Sequence, residues 1–255
     1  MDEARKGVSR RADIPAELLS RLNAGTEASA TLAEGLAIDF AALLVATVPD
    51  MPADSVDVVR EMAAEGITRR MDAVGELLLR HLTLDGLPAL AGHASDTVRG
   101  WACYVIGRAP KLKLNAKLSL IQPLADDRHF GVREWAWMAL RPHLAKNVSH
   151  AVKALVPWAK DVSPNVRRFA SEATRPRGVW CSHIDALKQN PALALPLLES
   201  LKADPAEYVQ DSVGNWLNDA AKSQPAWVKS LCDRWQRESA LEATARICGR
   251  ASRSV

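Results

Sequence analysis

The chain has 255 residues, 48% hydrophobic and 25% charged, a balance that excludes an intrinsically disordered protein and sets the size at one large domain or two small ones. The N-terminal stretch MDEARKGVSRRADIP is charged where a signal peptide would be apolar, and the longest apolar run, Phe40 to Val48, is less than half a membrane span, so a soluble, cytoplasmic protein is expected. The net charge of +3 is uneven: Thr97 to Trp180 holds fifteen Lys/Arg against five Asp/Glu, a balance of +10, and the rest of the chain carries −7. Such a basic zone suits a phosphate-binding surface, or else belongs to solvated helix faces.

In chain order, Leu32 to Thr47 and Val56 to Leu82 read as helices with apolar stripes, and residues 1–94 form an N-terminal helical cap. Four segments then repeat one pattern: SDTVRGWA, DRHFGVREWA, SPNVRRFA and AEYVQDSV. Their valines, Val98, Val132, Val166 and Val209, are 34, 34 and 43 residues apart, the spacing of two-helix solenoid repeats. Ser163 with Pro164, and Asp204 with Pro205, read as an N-cap and first turn, and Pro176 stops the third of these helices. Ala226 to Cys248 is helical again. Strand and hairpin signals are almost absent. The expected fold is therefore all-α, a solenoid of HEAT-like two-helix repeats in a single domain, with the repeats at 95–225 and capping helices at 226–255.

The repeat register sorts side chains. On the second repeat helix Val132, Trp135, Ala136, Ala139 and Leu140 form the buried stripe, and Trp101 and Phe169 hold the place of Trp135. Trp137 falls off that stripe with Glu134, Met138 and Arg141. It is either a stacking platform for nucleic acid or packing against a neighbouring repeat. On the third helix Arg168, Glu172 and Arg175 share a face apart from the core, where a carboxylate between two guanidiniums is held ionised. That triad is either a surface ion network or a site. Ser212, Asn215 and Asp219 share a face of the fourth. The four cysteines (Cys103, Cys181, Cys232, Cys248) include no CxxC pair and no histidine at ligand spacing, so no metal or other cofactor is expected.

Residues 161–180, DVSPNVRRFASEATRPRGVW, resemble the ASEGxRPRLPW motif of the AlkC branch of the DNA alkylation repair glycosylases. Residues 204–225, DPAEYVQDSVGNWLNDAAKSQP, resemble that family's DPSxYVRRSVANxLNDIAKxxP. SDTVRGWACYVIG and ALRPHL match its SxxxRGW and AIRPF segments more loosely. The resemblance implies a HEAT-like superhelix that cups duplex DNA and hydrolyses the N-glycosidic bond of an alkylated base, acting as a monomer. Glu172 and Asp219 fall on motif acids and are the expected catalytic residues. One position departs: Trp137 stands where the family has a glutamate, and Glu134, one turn earlier, is the candidate substitute. Arg133, Arg141, Arg167, Arg168, Arg175 and Arg177 are expected to hold phosphates, with Trp137, Trp180 and Asn215 as further DNA contacts. Because an alkylated purine is already cationic, the chemistry needs carboxylates that stabilise positive charge on the sugar and activate water. The competing readings are a catalytically silent relative that binds damaged or distorted DNA, and a protein-interaction scaffold.

Overall fold

The computed structural model describes residues 5–254. Among the described residues there is no strand; sixteen α-helices and a few short 3-10 turns make up the regular structure, as the repeat pattern predicts. No described helix is long and apolar enough to cross a membrane. Internal contacts divide the chain into two units. One runs to Lys111 and includes Arg128–Ala139; the other comprises Leu112–Asp127 and the residues from Leu140 onward.

The first unit contains α1 (Ala16–Asn23), α2 (Leu32–Ala37), α3 (Phe40–Thr47), α4 (Ala53–Glu61), α5 (Ile67–Leu82), α6 (Leu87–Ala91) and α7 (Asp96–Arg108). Every residue of α7 from Asp96 to Gly107 is buried, the state expected of a helix with little polar face. It packs on α5, where Gly75 permits the approach: a Cβ there would lie 2.4 Å from the Cβ of Tyr104. The two long helices expected here are each broken. Ile38 is extended and the Asp39 carboxylate accepts from the amides of Ala41 and Ala42, capping α3. α4 closes at Glu61, and extended Gly66 precedes α5.

Glu34 anchors the start of this unit. Its buried carboxylate takes both terminal nitrogens of Arg5, at 2.8 and 2.6 Å, and the amides of Val8 and Ala30, each at 2.7 Å. The Arg5 hydrogen bonds, against the upward push of burial and with the help of the two amides, hold it at about 2, below its ordinary 4.5.

Then follow α8 (Leu114–Ala125), α9 (Phe130–Lys146), α10 (Val148–Leu155), α11 (Pro164–Glu172), α12 (Asp185–Gln189), α13 (Leu195–Leu201), α14 (Glu207–Ala221), α15 (Pro225–Glu238) and α16 (Glu242–Ala251). In the second unit α11, α14 and α16 lie side by side. α13 packs behind α11 and α14 and against α10, and α15 packs on α14 and α16. Val98, Val132, Val166 and Val209 are all buried, as are Trp101 and Phe169, whereas Trp135 is half-buried. The stretch from Ala226 to Cys248 is two helices, interrupted at Ser239, which is extended. α16 packs on α14 as α14 packs on α11, adding a helical pair that lacks the valine pattern.

Ser163 caps α11 as expected, accepting from the Asn165 amide at 3.2 Å with Pro164 as first residue. Asp204 does otherwise. α14 starts three residues beyond it, and its carboxylate accepts from the Ala206 amide at 2.9 Å and from the Arg167 fork at 2.6 and 2.9 Å. α11 closes at Glu172, four residues ahead of Pro176.

Candidate active site

Glu172 is the last residue of α11. A carboxylate at a helix C-terminus faces the negative end of the dipole and needs cations nearby. The helix supplies Arg168 one turn back, at 3.6 Å, and the loop that follows supplies Arg175 three residues on, at 2.7 Å. From α14, Ser212 donates to Glu172 Oε2 at 2.6 Å and in turn meets the Ser171 hydroxyl at 2.7 Å. Two helical turns beyond Ser212 on the same helix stands Asp219. Its Oδ2 receives Arg175 Nε at 2.9 Å and Nη2 at 2.8 Å. One guanidinium therefore bridges the two acids, and both residues are only 4% exposed.

The two carboxylates are not equivalent. Burial alone would raise Glu172, but the charges of Arg168 and Arg175 and the hydrogen bonds from Ser212 and Arg175 outweigh it and hold the group below its ordinary value. For Asp219 burial wins over Arg175 and Lys222, and Glu172 adds repulsion, so it lies above its ordinary value. The hydrogen-bond partition agrees. Both oxygens of Glu172 accept strong bonds, whereas Asp219 Oδ1 is approached by Lys222 Nζ at 3.8 Å, too long for a hydrogen bond. Asp219 Oδ1 is the oxygen best able to take a proton.

Several expected phosphate contacts have other tasks. Arg141 is 2% exposed and donates to three main-chain carbonyls. Arg167 is paired with Asp204 and donates to the carbonyls of Asp161 and Val162. Arg168 stacks over the Tyr208 ring at 4.4 Å and faces Glu172, and Arg175 bridges the acids. Arg177 donates to the Ser223 hydroxyl at 2.7 Å, and Asn215 accepts from Arg250 and Arg253. In the first unit Arg133 is half-buried and donates to the Arg128 carbonyl. The expectation for Trp137 is also corrected: its ring is 2% exposed and its indole N–H donates to Glu134 at 2.8 Å. Its neighbours Met138, Ala139 and Leu140 are buried too, so this part of α9 has no solvated face on which a stacking platform could stand.

Trp180 behaves differently. It is 48% exposed at the tip of the loop after α11, in a left-handed conformation with φ of 60°, rare for a bulky side chain. Sequence reasoning did not single out Ser171, Lys222 or Gly178. Only Lys222 left a signal, its place three residues beyond Asp219. No group of three or more metal-ligating side chains occurs among the described residues.

Residues 132–247 match the sequence model of the DNA alkylation repair enzyme family. An uncharacterized protein of Bacillus subtilis, YhaZ, is 40% identical over 97 residues, 38% of this chain and 27% of that one. Among solved structures, the Pseudomonas fluorescens alkylpurine DNA glycosylase AlkC, bound to DNA containing an abasic site analog, superposes with a TM-score of 0.68 at 26% identity; the match covers 97% of this chain and 65% of AlkC. The chain thus spans about a quarter of the length of YhaZ and under two thirds of AlkC. AlkD2 from Streptococcus mutans shares the fold, with a TM-score of 0.62 at 22% identity over 79% of this chain and 99% of AlkD2. Over residues 132–247 the chain is similar in sequence to the DNA alkylation repair enzyme family, and over nearly its whole length it is similar in fold to AlkC.

Proposed function

We propose that the protein is a DNA glycosylase that hydrolyses the N-glycosidic bond of cationic, alkylated bases in duplex DNA, acting as a cytoplasmic monomer without a cofactor. The observation that carries this reading is the buried pair Glu172 and Asp219, bridged by Arg175 and differing in hydrogen-bond saturation. When the bond from the sugar to a cationic base breaks, its electron pair goes to the base, which leaves neutral, and positive charge grows on the sugar. Glu172, fully hydrogen-bonded and ionised, supplies fixed negative charge. Asp219 Oδ1 takes the proton of the attacking water. Arg175 keeps the two acids in register, and Trp180, exposed beside them in sequence, offers a face on which a base can stack. Arg177 and Arg133, half-buried and bonded to Ser223 and to the Arg128 carbonyl, are the two that can still reach phosphates.

The test is to incubate the protein with methylated duplex DNA and identify the released bases by chromatography; no release from a protein that binds the duplex overturns the reading. One observation favours a second reading, a silent DNA-binding relative: Trp137 occupies the place of a family acid. In that case the natural protein releases nothing and Trp137→Glu creates activity.

A further inference from the structure

The loop between Glu172 and Asp185 carries Arg175, which bridges the acids, and Trp180. It contains no helix or strand, yet its position decides where the Arg175 fork lies. What holds it is Arg141. The Arg141 guanidinium donates through Nη1 to the Ala173 carbonyl at 3.1 Å, through Nη2 to the Arg175 carbonyl at 2.7 Å and through Nε to the Ser182 carbonyl at 3.0 Å. These three acceptors lie at the start of the loop, at the bridging residue and two residues past Trp180. The loop neck is closed by the Ile184 amide on the Pro176 carbonyl at 3.0 Å. Gly178 lies against the fork: a Cβ there would sit 3.2 Å from Arg141 Cζ and 2.1 Å from the Cys181 sulfur.

A planar fork with several fixed donors can gather three carbonyls in this way, whereas an ammonium is a point charge on a flexible stem. None of these hydrogen bonds is to a carboxylate. A guanidinium buried on main-chain dipoles is costly compared with an apolar core, and burial pushes its basicity below the ordinary value. Such a residue breaks the local rule for a stable core, the pattern found where a site demands it. We propose that Arg141 is a positioning residue: its fork fixes the 173–182 loop so that Arg175 holds Glu172 and Asp219 in register and Trp180 is presented at the tip. The proposal rests on the glycosylase reading for its catalytic consequence and on the loop geometry for the rest.

The test uses the full-length protein and the variants Arg141→Lys, which keeps the charge and loses the fork, and Gly178→Ala, which drives a methyl against Cys181 and the fork without removing the charge. In the absence of DNA, amide hydrogen exchange over residues 175–183 should quicken about tenfold or more in both variants while the flanking helices keep their protection. With methylated duplex, single-turnover release should fall about 100-fold, the effect of a misplacement on the ångström scale, with the duplex Kd within about twofold of the natural value. The quenching of Trp180 emission on duplex binding, taken as the difference from Trp180→Phe, should be lost. Unchanged exchange in Arg141→Lys overturns the proposal, as does a loosened loop with unchanged release and quenching, which would make Arg141 merely structural. If the natural protein releases no base, the glycosylase reading fails by itself, and the exchange and quenching results still decide the role of Arg141.

Discussion

Glu34 and the Glu172–Asp219 pair are buried acids held by arginine, and they teach opposite lessons. Around Glu34 two donors are main-chain amides, at 2.7 Å each, and the rest come from Arg5. Around Glu172 and Asp219 the partners are all side chains: Arg175 and Ser212 within hydrogen-bond reach, and Arg168 and Lys222 as more distant charges. An acid that ties down backbone is a staple, because its protonation loosens chain segments. An acid surrounded by side chains can exchange partners with a substrate or water and leave the fold intact. Burial and a nearby arginine are common to both; the origin of the donors separates structure from chemistry.

The largest effect that could break this contrast is at the pair. Glu172→Gln and Asp219→Asn should each lower base release by about 100- to 1000-fold, with duplex affinity unchanged or tighter, since removing negative charge relieves repulsion from phosphates in the bound ground state. Single-turnover chromatography and a binding isotherm check both halves. Equal release rates for the natural protein and the two variants would eliminate the carboxylate mechanism. Glu34→Ala should do the reverse. It strands two buried amides and part of Arg5, so unfolding in urea should show a loss of about 3 kcal/mol, with release per folded molecule unchanged.

Acid separates the sites more finely. Glu34 is depressed in the folded state, so its contribution to stability is complete above 4.5 and is lost as pH falls toward about 2. Glu34→Gln should flatten the stability profile in that window. Asp219 is raised, so its acid limb in the release rate should lie above the ordinary aspartate value of 3.8, where the fold still keeps the Glu34 contribution. The smallest effect expected is at Ser212→Ala, which removes one donor from Glu172 and should cost about 1 kcal/mol in stability. The release rate should fall roughly fivefold by the same conversion. A larger loss of rate than of stability would assign the hydroxyl a more direct part in the chemistry.

How far these features were legible depended on the range of the interaction. The valine register and the Ser163 cap follow from local sequence, and the structure keeps them; it also keeps the company of Arg168, Glu172 and Arg175, although Arg175 stands in the loop beyond α11 rather than on the helix. The bridge from Arg175 to Asp219 spans 44 residues and left no periodic trace; family motifs alone pointed to Asp219. Arg141 and Trp137 depart from the stripe expectation for one physical reason. A stripe argument assigns each helix one buried face, and α9 buries Trp137 through Arg141 without interruption. The N-terminal helices are shorter than apolar periodicity predicts, because that periodicity continues across Ile38 and Asp39, although an aspartate ahead of Phe40 is a cap signal.

Trp180 has a consequence for selection. Its left-handed backbone, with φ of 60°, carries a penalty of roughly 1 kcal/mol for a residue with a Cβ, and half of its ring gains nothing from burial. A screen for heat resistance would thus be drawn to Trp180→Gly, which relieves the strain, and would discard the aromatic tip in doing so. If Trp180 is the stacking face proposed above, stability and activity compete here at a single codon. On that reading, a lineage that no longer met alkylated DNA would be free to drift toward glycine, and the residue at this position in relatives should report which of them act on it.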